Sequence, residues 1–352
     1  MRTLHLPTGK VIGENEPCFI IAEIGQNHQG DIDIAKKLIA SAKECGADCV
    51  KFQKSCLKEK FTKQTLNTPY ISEHSWGRTY GEHKKYLEFS ESQYIELMQY
   101  AEDIGILFTA SAMDSVSLEF LASRDVPFIK IGSGDGDNLM LIENAASTKI
   151  PLVISTGMQA MINVKKVYKT VKKYHSEFAL LHCVSSYPTP PEDANLKVIT
   201  KYKEEFPDIV IGYSGHELNY NLTIAAVVLG AKIVERHFTL DNNWKGNDHK
   251  CSLTPNNFKK MVDSIREIEI AMGNGIKEIQ PSELECYNKL GKTLVTAKCL
   301  QSGCKLDITD IKVKVSSIKG ISPIEIYNII GRKLKNDLEE DQIIKENDLE
   351  SE

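Results

Sequence analysis

The chain has 352 residues, enough for one large α/β domain with a small second one, and its apolar and charged fractions are those of an ordinary folded protein. A net charge of −5 argues against nucleic acid as a partner, and no apolar run approaches the roughly 18 residues of a membrane helix. The opening MRTLHLPTGK lacks the apolar segment of a signal peptide, and nine scattered cysteines without a CxxC pair predict reduced thiols and a cytoplasmic setting.

Leu4–Pro17 alternates apolar and polar residues around Thr8-Gly9 and Gly13, so residues 1–17 read as a hairpin capping one end of the main domain. Cys18–Glu23 (CFIIAE) is the first buried strand, and the turn GQNHQG leads into a helix over Asp31–Cys45 with apolar residues at helical spacing. Ala47–Gln53, Ile106–Ala110, Pro127–Gly132, Pro151–Ser155 and Phe178–Cys183 read as further strands. Helices follow over Ser90–Ile104, opened by a Ser90/Gln93 capping box, and over Ser115–Ala122, Leu139–Ser147, Ala160–Tyr174 and Asn195–Glu205. Ile209–Tyr213 and Lys232–Glu235 are the last two strands, joined by a helix over Leu222–Gly230, and Pro255–Met272 closes the series. Eight strand-then-helix units over residues 18–272 predict a (β/α)8 TIM barrel. An open doubly wound sheet is the alternative, but no GxGxxG follows the first strand. Residues 273–287 are rich in Gly, Pro and charge and read as a linker, and residues 288–352 read as a small β-rich domain.

In such a barrel the chemistry sits just past the strands. The last two strands are each followed by a histidine, His216 and His237, and a strand–helix–strand unit places them side by side. Two neutral imidazoles can hold a divalent metal with open positions; either histidine alone is better explained by hydrogen bonding at a strand end. Lys51 and Lys130 lie inside strand runs, where burial without a partner is costly, so an anion is expected beside them. Ser133 and Ser214 each adjoin a glycine and Ser155 lies two residues before one, where backbone N–H groups and a hydroxyl can cradle phosphate. Glu23, Gln53, Ser111, Ser185 and Tyr187 also lie at strand ends. Two chemistries fit: a Schiff base on a strand lysine, or a metal-polarised carbonyl attacked by a phosphorylated enol. A carbohydrate-binding protein is the reading from another class, and the charged barrel mouth argues against it.

The motifs FIIAEIGQNHQG, CVKFQK, KIGSGD, ISTGM, YPTPPED, IGYSGHE, ERHFT and the C-terminal LGKTLV run in order along nearly the whole chain. Together they resemble the sialic acid synthase family, and HSWGRTYGEHKKYLEFS is similar to its animal members. The resemblance implies a TIM barrel followed by a small antifreeze-like (SAF) domain, which in the family crosses to cover the active site of the other subunit of a homodimer. It implies phosphoenolpyruvate and N-acetylmannosamine 6-phosphate as substrates, condensed to N-acetylneuraminate 9-phosphate, with Mn2+ or Mg2+ as cofactor. Use of the unphosphorylated sugar, or a Schiff-base aldolase, are the alternatives. Carried over by motif, His216 and His237 are the metal ligands and Glu23 faces the reacting carbons. Lys51, Ser111, Lys130, Ser133, Ser155 and Ser214 hold phosphoenolpyruvate, while Tyr187 and Asp248 face the sugar. Ser185 stands where bacterial members that take the free sugar have Asn, and Val315 where they have an Arg.

The connection Lys54–Phe89 is too long for scaffold and emerges on the active face. Its cations Arg78, Lys84 and Lys85, beside Trp76 and Tyr80, are expected to bind the sugar phosphate.

Overall fold

The computed structural model describes residues 2–351. An antiparallel hairpin, β1 (Thr3–His5) with β2 (Val11–Gly13), precedes eight parallel strands. These are β3 (Phe19–Gly25), β4 (Cys49–Lys54), β5 (Leu107–Ala112), β6 (Ile129–Ile131), β7 (Leu152–Ser155), β8 (Phe178–Cys183), β9 (Val210–Gly215) and β10 (Ile233–His237). They form a closed barrel in chain order, sealed where β10 pairs with β3. The TIM barrel expected from the repeating units is therefore present.

Every residue of β3, β8, β9 and β10 is buried, because a parallel strand in a barrel is covered on both faces. The two faces differ in what they meet. Ile20, Ala22, Ile24, Val50 and Phe52 join the core beneath the helices. Their alternates Phe19, Ile21, Cys49, Phe128, Val153, Ala179, Leu181, Val210 and Ile233 fill the lower barrel, together with Leu4, Leu6 and Ile12 of the hairpin. The hairpin is thus a plug in the barrel floor, and its tight turn needs Gly9 at φ 85°. Two or four residues further along these strands the inward positions become polar: Glu23, Lys51, Lys130, Ser155, Ser214 and Glu235.

The helices follow in order: α1 (Ile32–Glu44), then α2 (Leu57–Lys60), α3 (Lys63–Asn67) and α4 (Tyr80–Leu87) within the long connection, then α5 (Glu91–Asp103). After these come α6 (Ser115–Ala122), α7 (Leu139–Ser147), α8 (Met161–Lys172), α9 (Lys197–Glu205), α10 (Asn221–Val228) and α11 (Pro255–Ala271). α1 buries Ala35, Leu38, Ile39 and Ala42, one stripe at helical spacing, and starts where the Asp31 carboxylate accepts from Asp33 N and Ile34 N. α5 starts with the reciprocal Ser90/Gln93 box. The long connection is not a bare loop: α4 carries its own Thr79/Glu82 box and buries His83 and Leu87.

The described residues divide into two units between Gly273 and Asn274. The second contains α12 (Leu284–Leu290), α13 (Ile326–Ile329) and an antiparallel pair, β11 (Lys292–Thr296) with β12 (Ile311–Val315). Its core is separate, built from Leu294, Leu300, Leu306, Ile321, Ile329, Leu334, Leu338, Ile344 and Leu349. The apolar run at residues 342–345 forms no strand; Ile343 makes only a single bridge to Val295. Among the described residues no helix is long and apolar enough to cross a membrane.

Candidate active site

At the C-terminal ends of the barrel strands lies a cavity of about 340 Å³. Its floor is a buried cluster of four charges. Lys51 Nζ is 2.6 Å from Glu23 Oε2 and 3.6 Å from Glu235 Oε1, and Lys130 Nζ is 3.6 Å from Glu235 Oε2. The anion expected beside the lysines is thus first of all the protein's own. The ammoniums also donate to hydroxyls: Lys51 to Ser111 at 3.0 Å and Lys130 to Ser155 at 2.7 Å. Ser214 donates to Glu235 at 3.3 Å, and Gln53 to Glu23 at 2.9 Å.

The two carboxylates are driven apart. Burial raises Glu23 toward neutrality, against the pull of Lys51. Burial acts the same way on Glu235, but Lys130 and Lys51 together hold it well below the ordinary range. One is a fixed anion and the other can hold a proton, the division of labour that acid–base chemistry requires. Lys130 is lowered by burial, only partly offset by Glu235.

Ser133 and Ser185 close one wall around Gly157. Gly157 N donates to Ser133 Oγ at 3.0 Å, and a Cβ there would lie 2.3 Å from Ser185 Oγ. A Cβ at Gly132 or Gly134 would meet nothing, so backbone is open to a ligand on that side. Cys183 also lines the cavity; burial raises its thiol, but His216, Ser133 and Lys130 outweigh this and pull it down.

His216 and His237 face each other with ring centroids 5.4 Å apart. His216 Nδ1 lies 2.9 Å from the carbonyl of Val184, which makes it the donor and leaves Nε2 with a lone pair. His237 is lowered by burial and so is neutral, and its buried Nδ1 has no hydrogen-bond partner among the described residues. Two facing imidazoles fit a divalent ion with open positions; no cluster of three or more ligating side chains occurs among the described residues. Behind them Arg236 and Glu217, both buried, pair at 2.9 Å. Arg236 also donates to Asn219 O and Thr223 Oγ1 at 2.8 and 2.9 Å.

A second cavity of about 440 Å³ opens above, sharing Gln53, Met113, Tyr187 and His237 with the first and adding Gln26, Asn27 and Asp248. Tyr187 stands between the two, its ring 4.1 Å from that of His216. Of the three loop cations, only Lys84 lines this cavity, donating to Gln26 Oε1 at 2.8 Å. Arg78 and Lys85 are exposed and line neither cavity. The reason is helical: successive residues of α4 point about 100° apart, so with Lys84 inward Lys85 faces solvent. Glu235, Cys183 and Asn27 were not among the candidates. For Glu235 a signal existed, since Ile233, Glu235 and His237 occupy alternate positions of one strand and so share the inward face.

Residues 38–277 match the NeuB family, and this chain is 52% identical to mouse N-acetylneuraminate-9-phosphate synthase over 348 residues, 99% of this chain and 97% of that one. The chain belongs to the NeuB family. Residues 291–350 match the SAF domain, so the second unit of this NeuB-family chain is an antifreeze-like domain. The human N-acetylneuraminate-9-phosphate synthase is also 52% identical, over 97% of this chain and 96% of its own length. Among solved structures, the N-acetylneuraminic acid synthetase of Leptospira borgpetersenii, in complex with citrate, superposes with a TM-score of 0.69 at 33% identity, covering 82% of this chain and 98% of that one.

Proposed function

We propose that this chain condenses phosphoenolpyruvate with N-acetylmannosamine 6-phosphate to give N-acetylneuraminate 9-phosphate and inorganic phosphate. The observation that carries this reading is the pair of buried lysines with serine hydroxyls beneath two facing histidines, in a chain 52% identical to enzymes named for that product. Lys51 and Lys130, with Ser111, Ser133, Ser155 and Ser214, bind the carboxylate and phosphate of phosphoenolpyruvate on the cavity floor. Tyr187, Asp248 and Asn27 face the sugar in the upper cavity, and Ser185 lies at the wall below. C3 of phosphoenolpyruvate attacks the aldehyde carbon of the open-chain sugar, and the carbonyl oxygen takes the proton that Glu23 holds and becomes a hydroxyl. Water adds at C2, Glu23, by then a carboxylate, takes one of its protons, and phosphate departs with the bridging oxygen and the other proton as the new ketone forms. His216 and His237 would hold Mn2+ or Mg2+, whose chemistry there is to polarise the aldehyde.

The lowered Lys130 ammonium favours a second reading, an aldolase that forms a Schiff base with pyruvate. One assay separates the two: phosphate release from phosphoenolpyruvate with the phosphorylated and the free sugar, with and without chelator. Release that needs the phosphorylated sugar and stops reversibly on chelation supports the synthase. A borohydride-stable pyruvyl adduct on Lys51 or Lys130 supports the aldolase. We also infer a cytoplasmic homodimer in which residues 288–352 cover the partner's barrel mouth.

A further inference from the structure

We infer that Lys60 and Lys84 form the site that takes the 6-phosphate of the sugar, an inference that rests on the synthase reading. Lys60 ends α2 and Lys84 lies on α4, two short helices packed together within the long connection. Lys84 lines the upper cavity. Lys60 Nζ lies 2.7 Å from the sulfur of Met113, the side chain shared by both cavities.

Both ammoniums are half-buried, and neither forms an ion pair among the described residues. Each has only weak or neutral partners: the Met113 thioether and the Phe61 ring for Lys60, and the Gln26 amide oxygen and the Tyr80 ring for Lys84. Burial lowers both lysines, and the charge of Lys60 lowers Lys84 further. The carboxylates that act on Lys60 are engaged elsewhere. Glu88 pairs with Lys54 at 2.6 Å, Asp114 accepts from Ser117 N at 2.8 Å to cap α6, and Asp135 accepts from Asn138 Nδ2 at 3.2 Å. Asp248 across the upper cavity and Glu88 also act on Lys84, but neither pairs with it, and two neighbouring, partly desolvated cations with no carboxylate in contact are unfavourable as they stand. A phosphate monoester relieves both the repulsion and the burial cost, and its oxygens accept from both ammoniums. The lysines of the lower cavity cannot serve here, because Glu23 and Glu235 and then phosphoenolpyruvate engage them.

The test is the ratio of kcat/KM for phosphorylated over free N-acetylmannosamine, measured on the full chain by phosphate release. Lys60→Ala and Lys84→Ala should each lower this ratio about 10- to 100-fold, the size of one lost charge-assisted contact. Lys84→Arg should keep most of it. Arg78→Ala and Lys85→Ala, which remove exposed charges, should move the ratio by less than about twofold. Lys60→Met and Lys84→Met, which keep the apolar stems, stand in if the alanine variants melt early. An unmoved ratio in the Lys60 and Lys84 variants, or an equal drop in the Arg78 and Lys85 variants, would overturn the assignment. Wild-type protein that releases no phosphate with either sugar would instead bring down the synthase reading on which it rests.

Discussion

At the scale of single residues, hydrogen bonding and packing assign distinct work to neighbouring groups. His28 is buried, stacks on Phe89 at 4.1 Å and accepts from Gly30 N through Nδ1, so it is held neutral. Burial lowers its pKa from 6.5 to about 3. Since the folded value is depressed, the stability it gives is whole above pH 6.5 and is lost as pH falls below it. Between pH 6.5 and 5 wild type should lose about 2 kcal/mol that His28→Gln does not, read from urea unfolding at the two pH values. Equal losses would show that the imidazole is protonated in the fold. Gly157→Ala would drive a methyl group into Ser133 and Ser185. The KM for phosphoenolpyruvate should rise roughly tenfold for the loss of one hydroxyl contact, with little change in melting temperature. An unaltered KM would mean that the serine wall does not hold that substrate.

At the scale of elements, the strands impose the site. The barrel could be read from the sequence because strands buried on both faces are continuous apolar runs, and because Ser90, Gln93 and Asp114 mark helix starts. The lysines stood out for interrupting those runs. Glu235 did not, because acidic residues near a strand end are ordinary until the inward register is known. Nor could the sequence say which of Lys84 and Lys85 turns inward, since that depends on what α4 packs against. The same register makes Arg236 and Glu217 a strut between the segments that carry His237 and His216. Arg236→Met should leave a buried carboxylate unpaired and cost about 3–5 kcal/mol, while adding Glu217→Gln should return part of that loss. Chemical denaturation of the single and double variants tests this; a double variant no more stable than the single one would argue that the pair is not coupled.

At the scale of the molecule, the separate core of the second unit predicts that truncation after Gly275 leaves a folded barrel. If the unit completes a partner's site, the truncated chain should melt cooperatively yet turn over poorly, and a fully active monomer would refute that arrangement. The four charges on the barrel floor have a further thermodynamic consequence. Lys51 and Lys130 offset Glu23 and Glu235, so the floor carries no net negative charge before any substrate arrives. A substrate that brings both a carboxylate and a phosphate upsets that balance above an apolar plug that offers no compensation. Glu23, already raised, is the group placed to absorb the excess. Binding of phosphoenolpyruvate near neutral pH should therefore draw a proton from solution. Calorimetry in buffers of different ionisation enthalpy would count that proton, and Glu23→Gln should remove it.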